Sequence, residues 1–235
     1  MSRNYLDLLA YFGIGGAHPG GFPLTQLLLQ DEIIHPCSSV LDIGCGTGQT
    51  AAFLNQKYGC QVTAVDNHPI MLEKARERFK NQESTVQVIE GDAQKLHFKD
   101  NSFDFIIAES VITFTTISKT LNELFRLLKK DGRMILIEMT AEEPLSRKVQ
   151  KKVRTLYGIH EVLSEEEWKM KLQQIGFTHI DMIAPSSELI QTEITDMNPS
   201  KNLSDEWYDL WDNHHSFIHQ SAVPLGFRVF RCGFK

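Results

Sequence analysis

Short, mostly apolar runs alternate with amphipathic stretches along the first 140 residues of the chain. The runs occupy residues 40–43, 62–65, 86–89, 103–108 and 134–137. Runs of this length are typical of strands that are buried on both faces. Strands that alternate with helices need crossover connections, so the pattern predicts an α/β fold with a doubly wound, mostly parallel sheet.

The stretches between the runs support this interpretation. Apolar residues fall on one face of the helices predicted after Pro69 and over residues 121–128. Asp131 with Gly132 then predicts a turn into the strand at residues 134–137. Both helices are expected to pack on the sheet.

The second half of the chain adds two strands. Ser164 and Glu167 form a capping box, which predicts a helix that ends before Gly176. Apolar residues at 178–183 and 227–234 predict two further strands. The sheet is therefore expected to have seven strands.

Two stretches in this half carry distinct charge patterns. A helix predicted after Pro144 has a basic surface around Lys151, which we interpret as a solvated face. Residues 185–226 form an irregular acidic segment. One helix within it is predicted to pack through Trp207, Leu210, Trp211 and Ile218.

The net charge of −6 arises in one part of the chain. Between residues 187 and 220, seven acids accompany a single basic residue, Lys201. The remainder is neutral, and a chain without a general basic field does not favour nucleic acid as a partner. No apolar run approaches the roughly 18 residues of a membrane span, and the N-terminus lacks the apolar core of a secretory signal. We expect a cytoplasmic protein without a membrane span.

Metal-ligand patterns in the chain are weak. The four cysteines form no CxxC pair and are expected to be free thiols. His215 and His219 have the i, i+4 spacing of metal ligands near Asp212, but no third ligand pattern accompanies them. We expect no metal.

A glycine-rich loop after the first strand is the chemical centre of the chain. Gly44, Gly46 and Gly48 alternate with other residues, and Asp42 precedes them. Such glycines allow a ligand to approach the backbone closely, and the helix that follows offers free N–H groups. Asp66 ends the next strand, where a carboxylate can accept both hydroxyls of a ribose. The pattern predicts a nucleoside cofactor.

Five segments follow one another in a characteristic order. They are residues 40–48, 65–71, 91–93, 98–104 and 124–137. Together they resemble the motifs of the class I S-adenosylmethionine-dependent methyltransferase family. The resemblance implies a Rossmann-like, seven-stranded fold that binds S-adenosylmethionine, transfers its methyl group and releases S-adenosylhomocysteine.

The resemblance also implies a role for each residue of the loop. The backbone of Gly44, Cys45 and Gly46, in the loop that Gly48 ends, would surround the methionine part of the cofactor. Asp42 would orient the amino group of that part.

The next two motifs would hold the nucleoside. Asp66 would bind the ribose hydroxyls and Asn67 would flank the adenine. Asp92 would accept a hydrogen bond from the adenine amine, and the Ala93 N–H would meet a ring nitrogen. The chain departs from the family at His68, where a small capping Ser is frequent.

Three residues are candidates for the acceptor side of the site. Glu109 follows the fourth strand, where it would touch cofactor and acceptor and act as a base, or would simply be solvated. Residues 13–21 are rich in glycine and are expected to be a flexible loop outside the core. This loop either closes over the site or is a plain connector. If it closes, His18 would be a catalytic candidate and Tyr11 would contact the substrate.

These features predict a methyltransferase that acts on a nucleophilic atom of a small molecule. Two alternatives remain open: an NAD(P)-dependent oxidoreductase and a non-catalytic S-adenosylmethionine-binding regulator. The oxidoreductase is disfavoured because the last glycine of the loop does not fall where the G-x-G-x-x-G pattern places it. The lack of an adjacent Tyr-x-x-x-Lys pair also disfavours it. The acceptor, the methylated atom and the oligomeric state are left open.

One domain is expected to span residues 1–235. Its composition, 42% hydrophobic and 23% charged, excludes fibrous and wholly disordered chains. Its expected parts are an N-terminal cap (1–36), a cofactor-binding core (37–140), a lid helix (141–163) and C-terminal strands (164–235) that enclose the insertion at 185–226.

Overall fold

A computed structural model describes residues 4–182, 194–218 and 223–234. Seven strands form one sheet in the order β3-β2-β1-β4-β5-β7-β6, numbered along the chain. Their bounds are β1 Ser39–Ile43, β2 Gln61–Asp66, β3 Gln87–Glu90, β4 Phe103–Glu109, β5 Leu128–Ala141, β6 His179–Met182 and β7 Leu225–Gly233. Only β7 runs antiparallel to its neighbours, so the predicted mostly parallel, seven-stranded sheet is confirmed.

Eight helices surround this sheet in the part of the chain that is described. They are α1 Tyr5–Phe12, α2 Gly21–Gln30, α3 Gln49–Tyr58, α4 Pro69–Asn81, α5 Ile117–Leu127, α6 Arg147–Tyr157, α7 Glu165–Ile175 and α8 Asp205–Ile218. A short 3-10 helix, Ile112–Phe114, follows β4. The predicted capping box at the start of α7 is present, with reciprocal hydrogen bonds between Ser164 and Glu167.

Apolar side chains cover both faces of the sheet. On one face, α3 and α4 pack against β1, β2 and β4 through residues such as Leu54 and Phe79. On the other face, α5 and α7 pack through residues such as Leu124 and Trp168. This two-sided burial explains why the strands read as continuous apolar runs.

The start of β5 differs from the sequence prediction. Leu128 is the first residue of the strand, although its spacing fits the preceding helix. It pairs with Phe103, and Arg133 pairs with Phe105, so that residues 129–132 lie opposite Asp104 alone. Leu128 is buried as the first residue of the strand, and an apolar residue at this spacing also fits the buried face of the helix, so its apolar character could not mark the boundary.

The N-terminal loop is part of the folded core, contrary to expectation. Ile14 and His18 are only 3% and 6% exposed. The loop lies between α1 and α2 and makes a β-bridge from Ile14 to Met197. Glycine content predicted a flexible segment, but partners far away in the sequence bury it.

The order of the strands creates a crevice at one edge of the sheet. From the central β1 the chain moves to β2 and β3 on one side, and then to β4 and β5 on the other. In such sheets ligands bind beyond the carboxyl ends of the strands at this reversal. Asp42 near the end of β1, Asp66 at the end of β2 and Glu109 at the end of β4 all lie there.

Some sequence predictions lie outside the described residues. These are Ile183 at the end of the sixth strand, residues 185–193, the side chain of Ile218, and His219. Within the described residues, no helix is both long and apolar enough to cross a membrane.

Candidate active site

The three glycines of the loop all have positive φ angles, for different reasons. The angles are +67° at Gly44, +53° at Gly46 and +78° at Gly48. A Cβ on Gly44 would overlap the Val111 side chain, and one on Gly48 would overlap the Phe79 ring. A Cβ on Gly46 would meet nothing closer than 3.9 Å. Gly46 therefore faces open space, whereas the other two glycines are required by the packing of the chain itself.

That open space is a cavity of about 180 Å³, here called the loop cavity. It lies beyond the ends of β1, β2 and β4. Of the residues that the sequence predicted, it brings together Asp42, Gly44, Cys45, Gly46, Asp66, Asn67, Asp92, Ala93, Glu109 and His18.

Two predicted residues lie outside the loop cavity. Gly48 is the N-terminal cap of α3 and turns the loop into that helix. Tyr11 packs on Trp207, with ring centroids 4.7 Å apart, and lines neither this cavity nor the second one described below.

Asp66 is held by the backbone at the mouth of the loop cavity. Its Oδ2 accepts from the Gly46 N–H at 2.9 Å, and its Oδ1 accepts from the His68 N–H at 2.8 Å. Burial nevertheless raises the pKa of this carboxyl. Each oxygen keeps a further lone pair, so that the carboxylate can still accept hydrogen bonds from a ligand.

Asp42 lies deeper and is only 2% exposed. Its Oδ2 is buried and has no hydrogen-bond partner in the described structure. Burial raises the pKa of Asp42 well above its usual range, and the neighbouring charges of Glu109 and Asp66 raise it further. A buried carboxyl among other acids, with an unpartnered oxygen, fits a cationic group in the cavity.

Glu109 joins four parts of the chain. It accepts from the Thr50 hydroxyl at 2.7 Å and from the Thr25 hydroxyl. The Nε2 of His18 lies 3.4 Å from Glu109 and 3.1 Å from the Thr25 oxygen. The Nδ1 of His18 lies 3.1 Å from the carbonyl of Pro19.

A second cavity of about 150 Å³ adjoins the first. We call it the aromatic cavity, because it is lined by the rings of Tyr5, Phe114, Tyr157, Trp211, His214 and His215. His18, Ser110 and Phe114 are among the residues that line both cavities. The predicted packing of the helix is present for Trp207, Leu210 and Trp211, and Trp211 also lines the aromatic cavity.

Glu138 supports one wall of the aromatic cavity. It is fully buried and accepts from the N–H groups of Val111, Ile112 and Thr113 at 3.1, 2.8 and 3.2 Å. It also accepts from the Thr113 hydroxyl. Burial raises the pKa of Glu138 to about 7. The carboxyl thus caps the 3-10 helix that carries Phe114.

Residues 195–198 are joined to the N-terminal loop, which lines the loop cavity through Gly15, Gly16 and His18. The Gly15 N–H donates to the Asp196 carbonyl and the Asn198 N–H donates to the Gly13 carbonyl, each at 3.0 Å. The side chain of Asp196 lies 2.5 Å from Arg78 of α4. We call the N-terminal loop and residues 195–198 together the cover, and Asp196 ties it to α4.

Sequence reasoning missed several residues of the site. Gln49 and Thr50 begin α3 and line the loop cavity, and the Gln49 Oε1 is buried without a described partner. Their place in the first turn after the glycine loop could have indicated this. Thr25 carried no such signal, because its contact with Glu109 spans 84 residues.

Together these features define a site for a nucleoside cofactor beside a second, mostly apolar cavity. A glycine loop before a helix, acids at the ends of neighbouring strands, and an adjoining apolar cavity are the features that carry this conclusion. No group of three or more His, Cys, Asp or Glu side chains that could hold a metal ion occurs in residues 4–182, 194–218 and 223–234.

Comparison with known proteins identifies the family. The family model described as "Methyltransferase domain" matches residues 41–136. A Bacillus subtilis (strain 168) protein described as "Uncharacterized methyltransferase YodH" is 35% identical over 231 residues, which cover 98% of each chain. The chain therefore belongs to the class I S-adenosylmethionine-dependent methyltransferase family, and the methyltransferase prediction is confirmed. The oxidoreductase alternative is not favoured.

More distant proteins are similar in sequence or in fold. The phosphoethanolamine N-methyltransferase of Plasmodium falciparum is 24% identical over 213 residues, 89% of this chain and 73% of the relative. The solved structure of Haemonchus contortus phosphoethanolamine N-methyltransferase 2 in complex with S-adenosyl-L-methionine has a TM-score of 0.77 at 21% identity. That match covers 97% of this chain and 56% of the other.

Proposed function

We propose that the enzyme binds S-adenosylmethionine in the loop cavity and methylates a small molecule held in the aromatic cavity. The observation that carries this proposal is that the two cavities adjoin at His18, Ser110 and Phe114. At this junction, a methyl group of a cofactor in the loop cavity can reach a nucleophile of an acceptor in the aromatic cavity. A large partner such as nucleic acid is not needed to explain the site.

The acids of the loop cavity suit the charges of this cofactor. The sulfonium and the ammonium of S-adenosylmethionine are both positive, and Asp42 and Glu109 lie in the part of the cavity that is next to the loop. Asp66 has free lone pairs for the ribose hydroxyls. The proposed roles of Asn67, Asp92 and Ala93 at the adenine rest on the family resemblance and on their position along the same cavity.

The chemistry needs alignment more than acid–base assistance. A lone pair of the acceptor forms a bond to the methyl carbon, while the electrons of the sulfur–carbon bond remain on sulfur and leave a neutral thioether. Any proton on the nucleophile passes to water. The protein must hold the reacting atoms in line at roughly 3–3.5 Å and exclude competing water.

His18 and Glu109 lie at the junction but already have partners in the chain. Both nitrogens of His18 and both oxygens of Glu109 are engaged. We therefore assign the pair a positioning role: it ties the cover and α2 to the end of β4, at the boundary between cofactor and acceptor.

Transfer of an isotopically labelled methyl group tests the proposal. The protein is incubated with labelled S-adenosylmethionine and a small-molecule extract, and mass spectrometry searches for products that gain one labelled methyl group. We expect a labelled product and S-adenosylhomocysteine with the parent, and neither with Gly46→Val. Binding of S-adenosylmethionine without a labelled product from any extract would instead favour the non-catalytic regulator.

A further inference from the structure

We infer that the acceptor is a neutral molecule with an aromatic or otherwise apolar body, and that it carries no phosphate or carboxylate. The inference deepens the proposed function and rests on it. It follows from the shape, the lining and the charges of the aromatic cavity.

The wall of the cavity is an assembly of rings held in fixed orientations. The ring of Tyr5 meets Tyr157 edge to face at 4.9 Å and lies nearly parallel to Phe114, with centroids 6.5 Å apart. It also lies 4.8 Å from the ring of His214. Such a wall offers flat apolar surface to a ligand, and ring–ring contacts of this kind favour an aromatic or unsaturated body.

No lysine or arginine is among the described residues that line the two cavities. The basic side chains there are histidines, of which His18 is engaged by Pro19 and Thr25 and His214 by Tyr157. The basic side chains Arg147, Lys148, Lys151 and Arg154 of α6 are exposed. A phosphate or carboxylate that entered the cavity would lose its hydration without an ion pair to lysine or arginine in return, which is costly.

Glu138, which lines the aromatic cavity, and Glu109 near the junction do not provide a place for a cationic acceptor either. The oxygens of Glu138 are occupied by three backbone N–H groups and the Thr113 hydroxyl. Glu109 is engaged by Thr25, Thr50 and His18. Neutral polar groups remain, such as the Tyr157 hydroxyl at 2.9 Å from Nδ1 of His214. Groups of this kind orient a neutral ligand without demanding a charge.

The volume of the cavity also suits a small ring. An apolar cavity of about 150 Å³ in another protein holds one molecule of benzene. The aromatic cavity has this volume and opens to the loop cavity and to solvent. A ring-sized acceptor can therefore present one atom to the junction.

The test compares a neutral ring with its phosphorylated counterpart. Protein saturated with S-adenosylhomocysteine is titrated with phenol, phenyl phosphate and phosphoethanolamine, and binding is followed by ligand-observed NMR. We expect phenol to bind at least about tenfold more tightly than either phosphate, because only the phosphates bring an uncompensated charge into the site. Binding of either phosphate as tightly as phenol overturns the inference, and this comparison needs no variant.

Matched variants of α8 locate the binding. Trp211→Ala removes a ring of the aromatic cavity and should weaken phenol binding about fivefold or more. Tyr208→Ala, on the same helix but half exposed and outside both cavities, should leave it unchanged. Equal phenol affinity in the parent and in Trp211→Ala, with both folded by thermal melting, would place the ligand elsewhere and overturn the inference.

Calorimetry with S-adenosylhomocysteine keeps the two proposals apart. If the parent does not bind S-adenosylhomocysteine, the proposed function fails, whereas the preference for phenol can still be measured on the free protein. If it binds S-adenosylhomocysteine but prefers a phosphate, only the inference about the acceptor fails.

Discussion

At the scale of single residues, Gly46 and Gly48 separate binding from folding. Gly46→Ala should cost roughly 1–2 kcal/mol of stability, because its φ is positive, and should lower the affinity for S-adenosylmethionine at least about tenfold, since its Cβ enters the loop cavity. Gly48→Ala should destabilise the fold more, because its Cβ overlaps Phe79. Thermal unfolding and calorimetry measure both effects. If Gly46→Ala kept its affinity for S-adenosylmethionine and lost more stability than Gly48→Ala, Gly46 would not face the cofactor.

Asp42 predicts a pH dependence of cofactor binding. Burial and neighbouring acids raise the pKa of this carboxyl in the free protein, and a bound ammonium would lower it again. Binding should therefore release a proton, and the affinity for S-adenosylmethionine should rise with pH until Asp42 is ionised. Calorimetry in two buffers of different ionisation enthalpy measures the number of protons released on binding. Asp42→Asn should abolish the release, and an unchanged proton count in that variant would contradict this role.

Glu138 predicts a pH dependence of stability. Its pKa is about 7 in the folded protein, against an ordinary value of 4.5. Between these values the folded state binds more protons, so the contribution of Glu138 is complete below about pH 4.5 and is lost as the pH rises through 7. The loss amounts to roughly 3 kcal/mol at most. Urea unfolding of the parent across this range should show the decline.

Glu138→Gln provides the control for that measurement. Its amide cannot titrate, so the decline between pH 4.5 and 7 should be smaller in the variant. At low pH the variant should also be less stable than the parent by about 1–3 kcal/mol, because the amide nitrogen cannot accept from the Thr113 N–H. Identical pH profiles in the two proteins would assign the decline to other groups.

At the scale of elements, the cover formed by the N-terminal loop and residues 195–198 should respond to the cofactor. Gly15, Gly16 and His18 line the loop cavity from this side. Hydrogen exchange of residues 13–21 should slow when S-adenosylmethionine or S-adenosylhomocysteine is added, while β1 and β4 are already slow. Unchanged exchange, together with intact affinity and turnover after deletion of residues 1–16, would show that this loop is not a lid and would remove Tyr11 from the candidates.

The sequence could predict most strands from their short apolar runs. It could predict α4 and α7 because their apolar faces repeat at regular spacing and their end signals are local. The sequence could equally predict the acids at the strand ends, since parallel strands finish at one edge of the sheet. It could not predict that Gly13 and Ile14 are buried, because their partners lie about 180 residues away at Met197 and Asn198. Local patterns contain no information about such contacts.

At the scale of the whole molecule, the sequence could not predict the aromatic cavity either, because its walls come from residues that are distant in sequence. The aromatic cavity takes Tyr5 from α1, Phe114 from the 3-10 helix, Tyr157 from α6 and Trp211 from α8. Each residue fits an ordinary core or surface position on its own element. Only the assembled fold brings the four rings together beside the predicted cofactor site.

The central claim is that the loop cavity binds S-adenosylmethionine through Asp66, and calorimetry tests it most directly. S-Adenosylmethionine and S-adenosylhomocysteine are titrated into the parent and into Asp66→Ala, whose unfolding transition is checked first. Both ligands should bind the parent, and both should bind the variant more weakly by about 1.5–3 kcal/mol, because each loses hydrogen bonds from its ribose to a charged group. Equal affinities in the two folded proteins would contradict the claim.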